Sequence, residues 1–139
     1  MANIMKTRTL QTPVQGFVGI THEVQYAVQE AVQELHLDPE TFEASVMVFC
    51  PHTTAAVTIN ENADPDVQRD FLLALERAFP RGPDFRHNNS TAHIKSSLIG
   101  CTQIIPVHEG KLVLGKMQAI YFCEFDGPRT RTFYVQISY

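Results

Sequence analysis

The sequence has no lysine- or arginine-rich run, no glycine-rich phosphate loop, no paired-aspartate diphosphate motif and no tryptophan. Nucleic-acid binding needs clustered cations, and the formal net charge is −4, so no nucleic-acid partner is expected. Without a P-loop or a DDxxD-type pair, the common ways of holding a diphosphate through magnesium are missing. Apolar runs stop after a handful of residues, far short of the ~20 that a membrane helix needs, so no membrane partner is expected. Met1 to Leu10 contains no apolar h-region, and no secretory signal is expected there. Cysteine is scarce: Cys50, Cys101 and Cys123 make an odd number with no CxxC pair. That argues against a disulfide framework and for a reducing, cytoplasmic setting. Repeats, linkers and low-complexity segments are absent as well.

What remains is an ordinary globular composition. The 139 residues suit one domain with one core, spanning 1–139. A hydrophobic share of 44% against 19% charged is enough to build that core.

Periodicity divides the chain. Residues 5–10 and 16–20 read as strands. Thr21 reads as a helix N-cap, and Val24, Ala27, Val28, Ala31, Val32 and Leu35 follow at helical spacing. Asp38-Pro39 ends that helix. Residues 42–50 form a strand whose second half is apolar on both faces, which predicts a central position in a sheet. Pro51 interrupts it, and 54–60 resumes. Asp64 at N-cap with Pro65 at N1 opens a second helix, with Val67, Phe71, Ala74, Leu75 and Ala78 on one stripe. Residues 85–91 are polar and loop-like, and 92–99 read as a short helix or a turn. Residues 103–107, 111–114, 117–125 and 130–137 read as strands, with Glu109-Gly110 as a hairpin turn. Strands clustered after the second helix with short connections predict an α+β fold: a mainly antiparallel, sandwich-like sheet with two main helices.

Four clusters carry chemistry. His52, beside Thr53 and Thr54, sits where a strand is broken, as a functional loop residue or as a strand-end histidine bonding a nearby carbonyl. Asn60-Glu61-Asn62-Ala63-Asp64-Pro65-Asp66 concentrates acids and amides before a helix. The cap explains Asp64, but not Glu61, which suits a general base, a metal ligand or a residue supporting one. His87 and His93 flank a polar loop. They are either solvated or, with His52, three ligands of one ion with an open fourth position, the usual plan of a catalytic zinc site. Lys95, Ser96 and Ser97 follow at once and suit a phosphate. Finally, Glu124 lies by alternation on the face of Gln118, Ile120 and Phe122, either as a carboxylate with a shifted pKa or paired with Arg129 or Arg131. Gln118 is placed to face the same pocket.

These segments resemble the YjbQ family, credited with secondary thiamine-phosphate synthase activity. The run His52-Thr53-Thr54-Ala55-Ala56-Val57-Thr58-Ile59-Asn60-Glu61-Asn62-Ala63-Asp64-Pro65-Asp66-Val67 carries most of the likeness. Arg86-His87, Ala92 to Gly100, Gly115, Gln118 to Tyr121 and Cys123 to Arg129 continue it in the same order. The resemblance implies the family's α+β fold, a homotrimer with polar pockets near subunit interfaces, and His52, His87 and His93 as metal ligands. It implies an enzyme that joins a hydroxymethylpyrimidine diphosphate to a thiazole phosphate and releases pyrophosphate. The expected cofactor is a divalent metal ion, zinc, with magnesium as the alternative. Glu61 and Glu124 are the expected acid/base residues. Thr53, Asn60, Lys95, Ser96 and Gln118 are the expected contacts to a phosphorylated small-molecule substrate. A non-catalytic metal- or metabolite-binding trimer and a metal-dependent hydrolase are the alternatives. Two segments depart from the family pattern: the loop between His87 and His93 is shorter, and Gly115-Lys116-Met117 replaces a threonine and tryptophan before Gln118.

Overall fold

The computed structural model describes all of residues 1–139. Eight strands and three α-helices follow one another as β1 (Asn3–Gln11), β2 (Gly16–Gly19), α1 (Thr21–Glu34), β3 (Ala44–Phe49), β4 (Ala55–Glu61), α2 (Pro65–Ala78), α3 (Ser90–Ile99), β5 (Thr102–His108), β6 (Lys111–Leu112), β7 (Gln118–Glu124) and β8 (Thr130–Ser138). The strands form two antiparallel sheets, one of order β1-β8-β3-β5-β6 and one of order β2-β7-β4. The α+β expectation holds, and β3 is central, as its two-faced apolar pattern predicts. The count of two main helices is corrected to three. Ser90–Ile99 is fully helical although its sequence is only weakly amphipathic, because Ala92 packs with Ala56 and Cys123 of the smaller sheet and with Phe125 just beyond β7.

The core lies between the sheets and under α1. The α1 stripe Val24, Ala27, Val28, Ala31 and Val32 is buried against Val46, Val48, Ile105, Val107, Phe133, Val135 and Ile137 of the five-stranded sheet. Alternation along β4 and β7 sends Ala55, Val57, Ile120 and Phe122 into the same core. The opposite face of that smaller sheet carries Ala56 and Cys123 toward α2 and α3. No helix is long and apolar enough to cross a membrane.

Several local details differ from the sequence reading. Thr21 is the first helical residue rather than the cap, and its hydroxyl accepts the Ile120 N–H at 2.9 Å, pinning α1 to β7. The helix stops at Glu34, before Asp38-Pro39, where His36 adopts a left-handed φ of 55°. Asp64 caps α2 as expected: its carboxylate accepts the Asp66 N–H at 2.9 Å. Glu109 and Gly110 turn between the paired residues His108 and Lys111 with φ of 50° and 76°. Two central residues with positive φ are the mark of the type I′ hairpin.

Candidate functional site

The largest pocket, about 750 Å³, opens where β3 gives way to β4 and where α3 meets β5. Its walls include Cys50, His52 and Thr53 from the β3–β4 connection and His93, Ser96 and Cys101 from α3 and the turn into β5.

His52 reaches it through a broken strand. Continuing the β3–β8 register from Phe49↔Tyr134 places Thr132 opposite Pro51. Proline has no N–H to give, so the ladder cannot continue there. The His52 ring fills the gap: its Nε2 accepts the Thr132 N–H at 2.9 Å and lies 3.1 Å from the Thr132 carbonyl oxygen. A nitrogen that accepts carries no proton, so the ring is neutral with its proton on Nδ1. Burial, and then the Arg131 charge, hold its pKa below the ordinary histidine value. The strand-end reading of His52 is therefore part of its role.

His87 and His93 come together, with ring centroids 5.4 Å apart and edge-to-face. The polar loop between them is short, and helix α3 begins within it, so the turn into the helix carries one ring back over the other. A pair at that separation suits two ligands of one cation, since an imidazole nitrogen binds at about 2.0–2.1 Å. His52 does not complete a triad with them: nowhere in the chain do three His, Cys, Asp or Glu side chains converge to hold an ion. The histidine pair fits a metal, and the three-histidine set does not form within one chain.

The remaining expected residues separate into three places. Thr53 and Ser96 line the pocket, although the Ser96 hydroxyl donates back to the Ala92 carbonyl at 2.8 Å. Lys95 is absent from the lining. It is buried, and its ammonium is held by Glu76 of α2 at 2.6 Å. Asn60, Glu61 and Gln118 stand at the far end of the smaller sheet, where Gln118 pairs with Glu61 across β4 and β7. Six residues of strand, about 20 Å, separate Glu61 from Ala55 at the pocket. There Asn60 accepts the Glu61 N–H at 2.7 Å, and the Glu61 carbonyl accepts the Tyr121 hydroxyl at 2.9 Å. Gln118, expected to share the pocket, instead lines a smaller polar one with His22, Asn62 and Tyr121.

Glu124 lies between the sheets, completely buried. Arg131 donates from Nε to its Oε1 at 2.7 Å, Thr12 donates at 2.6 Å and the Asp126 N–H at 2.9 Å. Burial pushes its pKa up, but these donors and the Arg131 charge outweigh that and hold it below the usual carboxylate value. The same contacts raise Arg131. Pairing with Arg131, one of the two partners read from the sequence, is what the fold realises. Gly127 lies beside this network because its Cα faces the Pro13 carbonyl, which an added Cβ would meet at 1.9 Å.

Residues 6–139 match the family described as UPF0047 protein YjbQ-like. The chain belongs to that family. Relatives in the family match most of its length. The Bacillus subtilis protein YugU is 42% identical over 138 residues, covering 96% of this chain and 98% of its own. The Escherichia coli O157:H7 protein YjbQ is 32% identical over 124 residues, covering 86% and 85%. The crystal structure of a YjbQ/UPF0047 protein from Clostridium acetobutylicum is 47% identical, covers 95% of this chain and 98% of that one, and superposes with a TM-score of 0.85. A YjbQ-like protein from Sulfolobus solfataricus reaches the same TM-score at 27% identity, covering 98% and 96%. The YjbQ-like fold thus persists while much of the sequence changes.

Sequence reasoning passed over Cys50 and Cys101 as pocket residues. The available signal was position, since each stands at the end of a strand that feeds the pocket.

Proposed function

We propose that this YjbQ-like chain is a metal-dependent enzyme acting on a phosphorylated small molecule, with thiamine-phosphate synthesis as the named reaction. The observation that carries the reading is the His87–His93 pair beside a 750 Å³ pocket that also bears His52, Thr53 and Ser96. His87 and His93 would hold a divalent ion, which when bound would supply positive charge for a departing pyrophosphate. Zinc suits two imidazoles better than magnesium does. His52, neutral with Nδ1–H, is a hydrogen-bond donor for a phosphate oxygen, and the Thr53 hydroxyl is a second. Lys95, held by Glu76, has no part in this reading. Assembly as a homotrimer belongs to the proposal. Glu61, Asn60 and Gln118 lie too far from the histidines within one chain, and a neighbouring copy is the remaining source of such groups at the pocket.

One observation favours a second reading, a metal- or metabolite-binding protein without turnover. No carboxylate lines the pocket, and Glu124 is fully engaged by Arg131, Thr12 and Asp126. Incubating the zinc-loaded protein with the pyrimidine diphosphate and the thiazole phosphate separates the two. Pyrophosphate release that disappears in His93→Ala supports the enzyme. Bound metal with no release supports the binding protein.

A further inference from the structure

Two of the three cysteines face each other across the wall of the pocket. The β3–β5 ladder ends at Phe49↔Thr102, and one step further in the same register Cys50 stands opposite Cys101. The Cys50 N–H donates to the Cys101 carbonyl at 2.8 Å, which holds the two backbones together one step beyond the ladder. Residues directly opposite one another in antiparallel strands hold their Cα atoms about 4.5–5.5 Å apart with side chains on one face. Disulfides span Cα separations of about 4.4–6.8 Å. Both residues line the same pocket, and both thiols are free.

Their environments differ in a way that sets an order of reaction. Cys101 is exposed, so an oxidant in solvent meets it first. Cys50 is 2% exposed, and burial pushes its thiol up to about 11. A buried thiol is shielded from the solvent oxidant, and its place opposite Cys101 makes it the partner that resolves the oxidised sulfur.

We propose that Cys50 and Cys101 form a reversible, peroxide-sensitive dithiol that closes to an intrachain disulfide in the pocket wall. The Cys101 thiolate attacks one oxygen of a hydroperoxide. The O–O bond breaks, Cys101 becomes a sulfenic acid, and the leaving oxygen takes up the thiol's proton. For hydrogen peroxide that product is water. Cys50 Sγ then attacks the sulfenic sulfur. The S–O bond breaks, the S–S bond forms, and the departing hydroxide carries off the Cys50 proton as a second water. Two thiols are oxidised and one peroxide is reduced. The bond would join the end of β3, two residues before His52, to the first residue after α3 and its C-cap, the helix that carries His93. Transient bridges of this kind occur in reducing compartments where structural ones do not.

The test is peptide mapping of the full-length chain without reductant after exposure to hydrogen peroxide. The expected product is a peptide pair linking residues 50 and 101, lighter by two hydrogens and separated by dithiothreitol, with Cys123 still alkylatable after denaturation. In Cys50→Ser the bridge cannot form, and Cys101 carries sulfenic or sulfinic acid instead. Three wild-type outcomes overturn the proposal: Cys101 running on to sulfinic acid, Cys101 joining another chain while Cys50 stays reduced, or no oxidation at all. The mapping needs no metal or substrate, so its result is independent of the proposed enzymatic reaction.

Discussion

The buried side chain with the most to lose is Glu124. Its charge is matched by Arg131 and its oxygens by Thr12 and the Asp126 N–H. Removing one member of such a pair leaves the other charged and dry. Glu124→Ala is therefore expected to cost about 3–5 kcal/mol in a urea unfolding series. Because folding lowers its pKa, the pair's contribution is complete above the carboxylate's ordinary value and is lost as pH falls through the lower folded value. His52 also has a lowered pKa, so its contribution is complete above about pH 6.5 and declines as pH falls. A proton on Nε2 would displace the Thr132 N–H. Urea midpoints measured between pH 7 and pH 5 should fall more steeply in the wild type than in His52→Gln, and equal slopes would contradict this. At this scale the sequence was partly legible. Alternation placed Glu124 on an inward face and offered Arg131 as a partner. It could not reveal that Lys95 turns away to Glu76, because that depends on how α3 lies against α2.

Among the elements, α2 shows how far a pattern can be read. Its Asp64-Pro65 start is a local signal, and the capping bond is there. Asp64→Ala should lower stability by about 0.5–2 kcal/mol through that bond while leaving metal content unchanged. Loss of metal with stability intact would make Asp64 a site residue instead. The α1 stripe was legible for five of its six residues: Val24, Ala27, Val28, Ala31 and Val32 are buried, while Leu35 is the C-cap and only half-buried. The α2 stripe is only partly right: Phe71 and Leu75 are half-buried, Val67, Ala74 and Ala78 are exposed, and the inner face includes Leu72, which the stripe left out. Periodicity tells which side of a helix is apolar, not how completely a neighbour covers it. The weakly patterned α3 was ambiguous for the opposite reason: small Ala92 and buried Ser96 dock it without a large apolar stripe.

For the whole molecule, the outer face of the five-stranded sheet is the telling feature. Phe49 and Tyr134 stack there at 6.4 Å, beside exposed Met5 and Ile104 at 59% and 66%. The register places Met47 opposite Ile104 on the same face. These apolar side chains share the face with Thr7, Gln136 and Thr102, and in the proposed homotrimer this is the surface where a second copy would pack. Light scattering on the purified protein is expected to give three chains per particle, and Ile104→Glu is expected to shift the mass toward the monomer. A monomeric wild type at micromolar concentration would leave that face, and the distant Glu61 cluster, unexplained. In the proposed function His87 and His93 together hold a cation. Elemental analysis after zinc loading and extensive dialysis tests it most directly. The expected result is about one ion per chain in the wild type and almost none in His93→Ala with its assembly intact. Equal zinc in the two proteins, or none in the wild type, would contradict it.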